Sequence, residues 1–280
     1  MPGGSGRGSS NRGPMPRAVQ VSKKIAWLLR HGAAEEGLQL DANGYLNVQD
    51  VLGNRKIHGL KVSLEELRQL VADNDKQRFT MTPVTATAEG EADENADADA
   101  AKHAIPSSKP SDWLIRANQG HSLKVEDEGL LTPITAENMP AAAVHGTTHA
   151  AWLLIVASGG LKAMTRNHVH FASGLPAGFT SIASEDDAAA TAAAPVISGM
   201  RKSSTVLMFL DLSKAVAAGL KFWVSDNGVI LSEGNADGLV PLEMFRRVED
   251  RTGEGVLLED GKVTKEAPAS WAAKAKGNKG

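Results

Sequence analysis

LKFWVSDNGVIL, residues 220–231, decides the fold class: two apolar stretches of strand length flank Asp226-Asn227-Gly228, whose small polar residues suit a tight hairpin turn. Working outward, TVLMFLDL (205–212) and GLVPLEMF (238–245) also read as short strands, with a further turn at Glu233-Gly234. AAAVHGT (141–147), HVHFAS (168–173) and Trp113-Leu114-Ile115 extend the pattern towards the N-terminus. One stretch differs: THAAWLLIVAS (148–158) has helical spacing and stops at Gly159-Gly160. This part of the chain is expected to be mostly β with one or two helices.

The N-terminal part has another rhythm. Val21, Ile25, Leu28 and Leu29 recur at helical spacing after Ser22, a candidate N-cap, and the pattern stops near Gly32. LQLDANGYLNVQDVL (38–52) reads as strand, Asn-Gly turn and helix, and Ser63 opens a third amphipathic stretch through Leu64, Leu67, Leu70 and Val71. DKQRFTM (75–81) alternates like an edge strand or wing. Helices with small strands in about 60 residues suggest a winged helix, with a generic helical domain as the other reading.

Composition sets the boundaries. The chain has 280 residues, room for about two domains, and a net charge of −3, so any basic site has to be local. Cysteine is absent, which excludes disulfides, thiolate nucleophiles and Cys-ligated metals. No apolar run approaches the roughly 20 residues of a membrane span, and Met1–Arg17 has no apolar core of a signal peptide. The expected organisation is a disordered basic tail over 1–19, a first lobe over 20–82, an acidic connector over 83–110, a second lobe over 111–250 and a Lys-rich tail over 251–280. The connector contains TATAEGEADENADADAAK (85–102), too poor in apolar residues to pack. SEDDAAATAAA (184–194) reads as part of a loop inserted at about 174–195. There is no dinucleotide-binding glycine fingerprint, no phosphate-binding P-loop and no GxSxG elbow.

Arg and His concentrate in a few segments: Arg30-His31; Arg116 through Asn118, Gln119, His121 and Ser122; His145-Gly146-Thr147; Arg166-Asn167-His168 with His170; and Arg201-Lys202-Ser203. Guanidinium groups bind phosphate through a planar fork and imidazole moves protons near neutral pH, so the set suits a phosphorylated substrate. Structural readings stand beside this one. Arg30-His31 can complement a helix dipole, and RANQGHS (116–122) can be a hydrogen-bonded turn. His168 and His170 share a strand face, as metal ligands or core residues do, but no carboxylate or HExxH accompanies them. Trp27, Trp113, Trp152 and Trp223 lie in apolar stretches and read as packing residues.

LLRH (28–31), WLIRANQGHS (113–122), VHGT (144–147), RNHVHFAS (166–173), VISGMRKSS (196–204) and FWVSDNGVIL (222–231) together resemble the eukaryotic tRNA 2′-phosphotransferase family, in order across residues 20–245. The resemblance implies an α+β protein: a winged-helix RNA-binding lobe, then a mostly β, ADP-ribosyltransferase-like lobe that binds NAD. It implies transfer of the internal 2′-phosphate of ligated tRNA to NAD, the final step of tRNA splicing, yielding 2′-OH RNA, ADP-ribose 1″,2″-cyclic phosphate and nicotinamide. The family's catalytic phosphate-handling group falls on Arg30, His31, Arg116 and Arg201, with Arg166 competing for the last place. NAD-binding segments fall on His145, Gly146, Thr147, Arg166, Asn167, His168 and His170. Substrate contacts fall on Asn118, Gln119, His121, Ser122, Lys202 and Ser203. In the implied mechanism the RNA 2′-phosphate first attacks the nicotinamide ribose; the ribose O2″ then attacks phosphorus, and His31 protonates the departing RNA oxygen. No metal is called for. A monomer in the cytoplasm or nucleus, without membrane association, is expected. Two rival readings are an ADP-ribosyltransferase that modifies RNA or other phosphate ends, and a catalytically silent RNA-binding protein.

Overall fold

The computed structural model describes residues 14–84, 107–123, 129–182, 196 and 199–276; the readings made above for 1–13, 85–106 and 183–195 lie outside them. Helix and strand both contribute substantially, as expected of an α+β chain.

Helix α1 spans Arg17–Trp27 and buries Val21 and Ile25. Ser22 therefore lies inside the helix, not at its cap, and part of the expected disordered tail is helical. The Arg17 guanidinium explains the earlier start: it donates to Glu66 Oε1 at 2.7 Å and to the Leu60 carbonyl at 2.8 Å, fastening the first turn. After Trp27 the helix loosens into one π-helical turn, Leu28–Gly32. A Cβ on Gly32 would stand 2.2 Å from the Trp27 ring, so a larger residue there would have to displace the indole. Leu38–Asp41 forms no strand. Asp41 instead accepts from the Tyr45 amide and closes the turn, and strand β1 follows at Tyr45–Asn47.

Helices α2 (Val48–Gly53), α3 (Arg55–His58) and α4 (Leu64–Ala72) come next, and Ser63 caps α4 by accepting from the Glu66 amide at 3.0 Å. Strand β2 is Phe79–Pro83, and β3 is Trp113–Ala117. These strands form a three-stranded sheet ordered β1-β3-β2, with Pro83 opposite Trp113. This corrects the expected division of the chain. Strand β3 completes the first lobe's sheet, with Ile115 and Ala117 in one core with Leu28, Leu29 and Leu67, because its apolar face is covered by the helices. The end of the acidic connector is fastened there as well: Trp113 Nε1 donates to the Ser107 carbonyl at 2.9 Å.

The larger sheet has nine antiparallel strands. In chain order they are β4 (Leu131–Pro133), β5 (Val144–Thr147), β7 (Val169–Ala172), β8 (Val206–Leu210), β9 (Lys221–Ser225), β10 (Val229–Gly234), β12 (Phe245–Asp250), β13 (Gly255–Glu259) and β14 (Lys262–Val263). The spatial order is β14-β13-β12-β8-β5-β7-β10-β9-β4, and β6 (Gly160–Lys162) pairs separately with β11 (Leu239–Pro241). Helix α5, His149–Ser158, packs its Trp152 into the core with Phe171, Phe222 and Phe245. Removing each such aromatic from water stabilises the fold by about 2 to 3 kcal/mol. Helix α6 is Leu212–Ala217, and α7 is Ala269–Lys276.

The segment after Arg251 is no thin tail. It supplies β13, β14 and α7, and Leu257, Leu258 and Trp271 join the main core. Trp271 stacks on His149, whose Nε2 lies 2.7 Å from Asp250, so a polar pair and an aromatic face hold the end of the chain. The first part of the expected inserted loop is also held: the Ser181 hydroxyl donates to Glu249 at 2.7 Å. Among the described residues no helix is long and apolar enough to cross a membrane.

Candidate active site

Arg30 and His31 lie on the π-helical turn, where the extra residue redirects side chains that an α-helix would place elsewhere. The loop after β3 closes on this turn. Its Ser122 amide donates to the Arg30 carbonyl at 3.0 Å, and the Ser122 hydroxyl lies 2.8 Å from His31 Nδ1. Gly120 adopts φ +88°, a conformation that favours glycine, and its missing Cβ would sit 3.6 Å from the Arg30 guanidinium carbon. The segment Asn167-His168 is stitched to the same loop: the Asn167 amide donates to the His121 carbonyl at 3.0 Å and its Nδ2 to the Leu123 carbonyl at 2.8 Å. The β7 side and the helical side thus meet at RANQGHS.

Arg30 is the centre of this site. Its Nε and Nη2 are buried without a hydrogen-bond partner, although a buried unpaired donor costs about 1 to 3 kcal/mol. Burial and the charges of Arg166 and Arg78 draw its pKa down to about 10. His31 is likewise pushed down by burial, Arg30 and Arg166. His121, buried beside them, falls to about 4 through burial, then the charges of Arg30, His31, His168 and Arg116. His121 Nε2 is also buried and unpaired. Positive groups crowd together here, and an anion is what their arrangement lacks.

The NAD-assigned residues border this cluster. His145, Gly146 and Thr147 lie on β5, and His145 Nδ1 is 2.8 Å from the His170 carbonyl. Burial, then Arg166, pushes His170 down to about 3, and its Nε2 is unpaired. His168 sits edge-on to Trp223 with centroids 5.7 Å apart. Two glycines set the turn that bears Arg201, Lys202 and Ser203: a Cβ on Gly146 would meet Met200 Cγ at 2.4 Å, and one on Gly199, at φ +100°, would meet Ala172 Cα at 2.8 Å. Close approach to β5 and β7 therefore fixes where the turn begins. Arg201, Lys202 and Ser203 are exposed. The Arg30-His31 pair feels the charge of Arg166, while Arg201 is felt at Arg166 and His145.

Arg116 and Asn118 are engaged elsewhere. Arg116 Nη2 bonds Asp226 at 2.7 Å, its Nη1 donates to the Gly129 carbonyl at 3.0 Å, and its guanidinium covers Tyr45 at 4.8 Å, while Nε stays buried and unpaired. Asn118 uses its side chain on the Gln77 carbonyl and the Thr80 hydroxyl. Gln119 is buried between these neighbours and His121. The sequence reading missed Lys76 and Arg78. Their signal was present, since both are cations in the stretch read as a wing.

The mixed α and β chain brings its two larger sheets together around a buried, unpaired guanidinium and several imidazoles, a cationic site whose chemistry suits an anion. Comparison with known proteins agrees with that chemistry: the family described as RNA 2′-phosphotransferase, Tpt1 / KptA family, matches residues 16–234. The tRNA 2′-phosphotransferase 1 of Danio rerio is 34% identical over 247 residues, 87% of this chain and 90% of that protein. Its namesake in Mus musculus is 36% identical over 88% of this chain and 83% of its own length. The tRNA 2′-phosphotransferase of Saccharomyces cerevisiae is 32% identical over 83% of this chain and 84% of its own. This chain belongs to the RNA 2′-phosphotransferase family, and it is a transferase.

Proposed function

We propose that this protein transfers the internal 2′-phosphate of ligated tRNA to NAD, leaving a 2′-hydroxyl and producing ADP-ribose 1″,2″-cyclic phosphate and nicotinamide. The observation that carries this reading is Arg30, a guanidinium buried with two unpaired nitrogens among further cations. A phosphate supplies the missing acceptors and offsets the mutual repulsion. The helices with the sheet β1-β3-β2 act as the winged-helix lobe that carries RNA. The nine-stranded sheet with α5 acts as the ADP-ribosyltransferase-like lobe that holds NAD.

The donor set fits NAD. Unpaired His170 Nε2 suits a ribose hydroxyl of NAD, and unpaired His121 Nε2 is left for the RNA substrate. His145, Gly146, Thr147, Asn167 and His168 complete the walls. When bound, NAD supplies the electrophilic ribose carbon and the neighbouring hydroxyl that carries the phosphate away. The chain's own residues do the rest. Arg30 and Arg166 hold and align the 2′-phosphate, an orientational contribution, and Arg201, Lys202 and Ser203 flank it from their turn. Arg116 joins them by exchanging Asp226 for the anion. Gln119 and Ser122 border the seat, and Asn118 holds the loop that forms it.

His31 protonates the departing RNA oxygen. In the free protein it is held neutral by burial and by Arg30 and Arg166. An incoming phosphate dianion offsets those charges and returns a proton to the imidazole, so substrate arms its own acid.

An oligoribonucleotide with a labelled internal 2′-phosphate tests the assignment. With NAD, and equally in EDTA, the label is expected in a cyclic phosphate of ADP-ribose. Label released as inorganic phosphate without NAD would overturn it, and so would a stable ADP-ribosylated RNA as the end product.

A further inference from the structure

Between α4 and β2 the chain makes a turn that is held more firmly than an exposed connection needs. Three successive carbonyls are clamped: Asn227 Nδ2 donates to Lys76 O at 2.9 Å, Asn118 Nδ2 to Gln77 O at 2.9 Å, and the Asn118 amide to Arg78 O at 2.9 Å. Asn118 and Asn227 are themselves buried. From within the turn, Asn74 Oδ1 accepts from the Lys76 amide at 3.1 Å and from Arg78 Nη1 at 3.0 Å. Gln77, between the two cations, is forced to φ +41°, a strained value for a residue with a side chain.

The turn thus fixes Lys76 and Arg78, both half-buried, beside the site. Arg78 acts on Arg30 itself, and Lys76 lies within the field of Lys202. Lys76 Nζ reaches the Met200 carbonyl at 3.4 Å, which brings it to the start of the Arg201 turn. Arg166 is felt at both His145 and His170 and Arg201 at His145, whereas Arg78 is felt at Arg30, so Arg78 stands on the Arg30 side.

The substrate explains why a second cationic seat is needed. An internal 2′-phosphate shares its ribose with a 3′,5′-phosphodiester on the adjacent oxygen, so two anionic groups arrive together. We propose that Lys76 and Arg78, presented by this clamped turn, seat the RNA phosphodiester next to the 2′-phosphate held at Arg30. The inference rests on the phosphotransferase reading and adds to it the strand's second contact.

Binding of an oligoribonucleotide, with and without an internal 2′-phosphate, measured by fluorescence anisotropy over a range of salt, tests this apart from turnover. For Lys76→Ala the slope of log K against log salt is expected to become shallower by about 0.7 for both RNAs, the value of one lost phosphate contact on a single strand. Lys76→Arg should restore it, and NAD affinity should not change. The Lys76 side chain makes one long hydrogen bond, so its truncation should leave the circular dichroism spectrum intact. Unchanged slopes in Lys76→Ala would overturn the proposal, as would weakened NAD binding with RNA binding unaltered, which would assign the cation to the dinucleotide. Failure of the wild-type protein to transfer phosphate would instead remove the functional reading, and the salt slopes would still decide whether the turn holds RNA backbone.

Discussion

His31 shows how a single residue's role depends on what surrounds it. Its Nδ1 is tied to Ser122 at 2.8 Å, which fixes the ring and leaves the other nitrogen for chemistry. Burial and two arginines lower its pKa in the free protein. The sign follows: an acid must be protonated, so activity is lost as pH rises through its pKa. Because kcat/KM reports the free protein and kcat the bound complex, the alkaline limb of kcat is expected at higher pH than that of kcat/KM. His31→Ala should lower kcat by about 10²- to 10⁴-fold, remove the limb and leave a slower-migrating RNA adduct on a rapid-quench gel. Normal turnover by a folded His31→Ala protein would reduce His31 to a structural partner of Ser122. Arg30 and His31 were visible in the sequence as a pair. Arg166 stands there as an NAD-binding candidate and a competitor for the place of Arg201, and the sequence does not decide between Arg166 and Arg201, because the arrangement depends on a π-helical turn and on the contacts of Asn167, neither of which leaves a periodic trace.

At the scale of elements, the apolar runs that read as strands mostly become strands, and Ser63 and Thr148 cap helices as their chemistry predicts. What the pattern does not show is which sheet a strand joins. Trp113–Ala117 looked like the start of the second lobe, yet it lies between β1 and β2, since pairing between distant strands is set by which faces need cover and not by local spacing. The acidic connector therefore leaves and re-enters one sheet, its flanks adjacent at Pro83 and Trp113, instead of spanning two bodies. Deleting about half of residues 85–106 should then keep transfer on a short RNA within a few-fold. It should also stabilise the fold modestly, since halving a loop saves about 0.6 kcal/mol of closure entropy. Urea denaturation of the shortened chain checks this, and a collapse of activity with the fold intact would give the connector a direct part in the reaction. The C-terminal strands escaped notice because Gly, Asp and Lys cut short the apolar run Val256-Leu257-Leu258, and among the described residues of that stretch only Leu257, Leu258 and Trp271 are buried.

Across the whole molecule, the site is assembled from groups that oppose folding in acid. His121 is held at about 4 and His170 at about 3, against about 6.5 for a free imidazole. Below that value the unfolded chain takes up protons that the folded chain refuses, so stability should fall as pH drops from about 6.5 towards 4, by up to about 1.4 kcal/mol per pH unit for each histidine. Urea midpoints at pH 7.0, 6.0 and 5.0 would show the decline, and a flat series would mean the imidazoles are not buried as described. The same burial leaves Arg30 unpaired, and on that residue the functional account depends. Arg30→Lys keeps a positive charge and removes the planar fork that two phosphate oxygens would engage. The most direct test is the single-turnover rate of 2′-phosphate transfer by Arg30→Lys at saturating NAD. A fall of about 10²-fold or more, with the fold intact, is the outcome expected of a lost transition-state donor, and a rate within a few-fold of the wild-type protein would contradict the placement of the phosphate at Arg30.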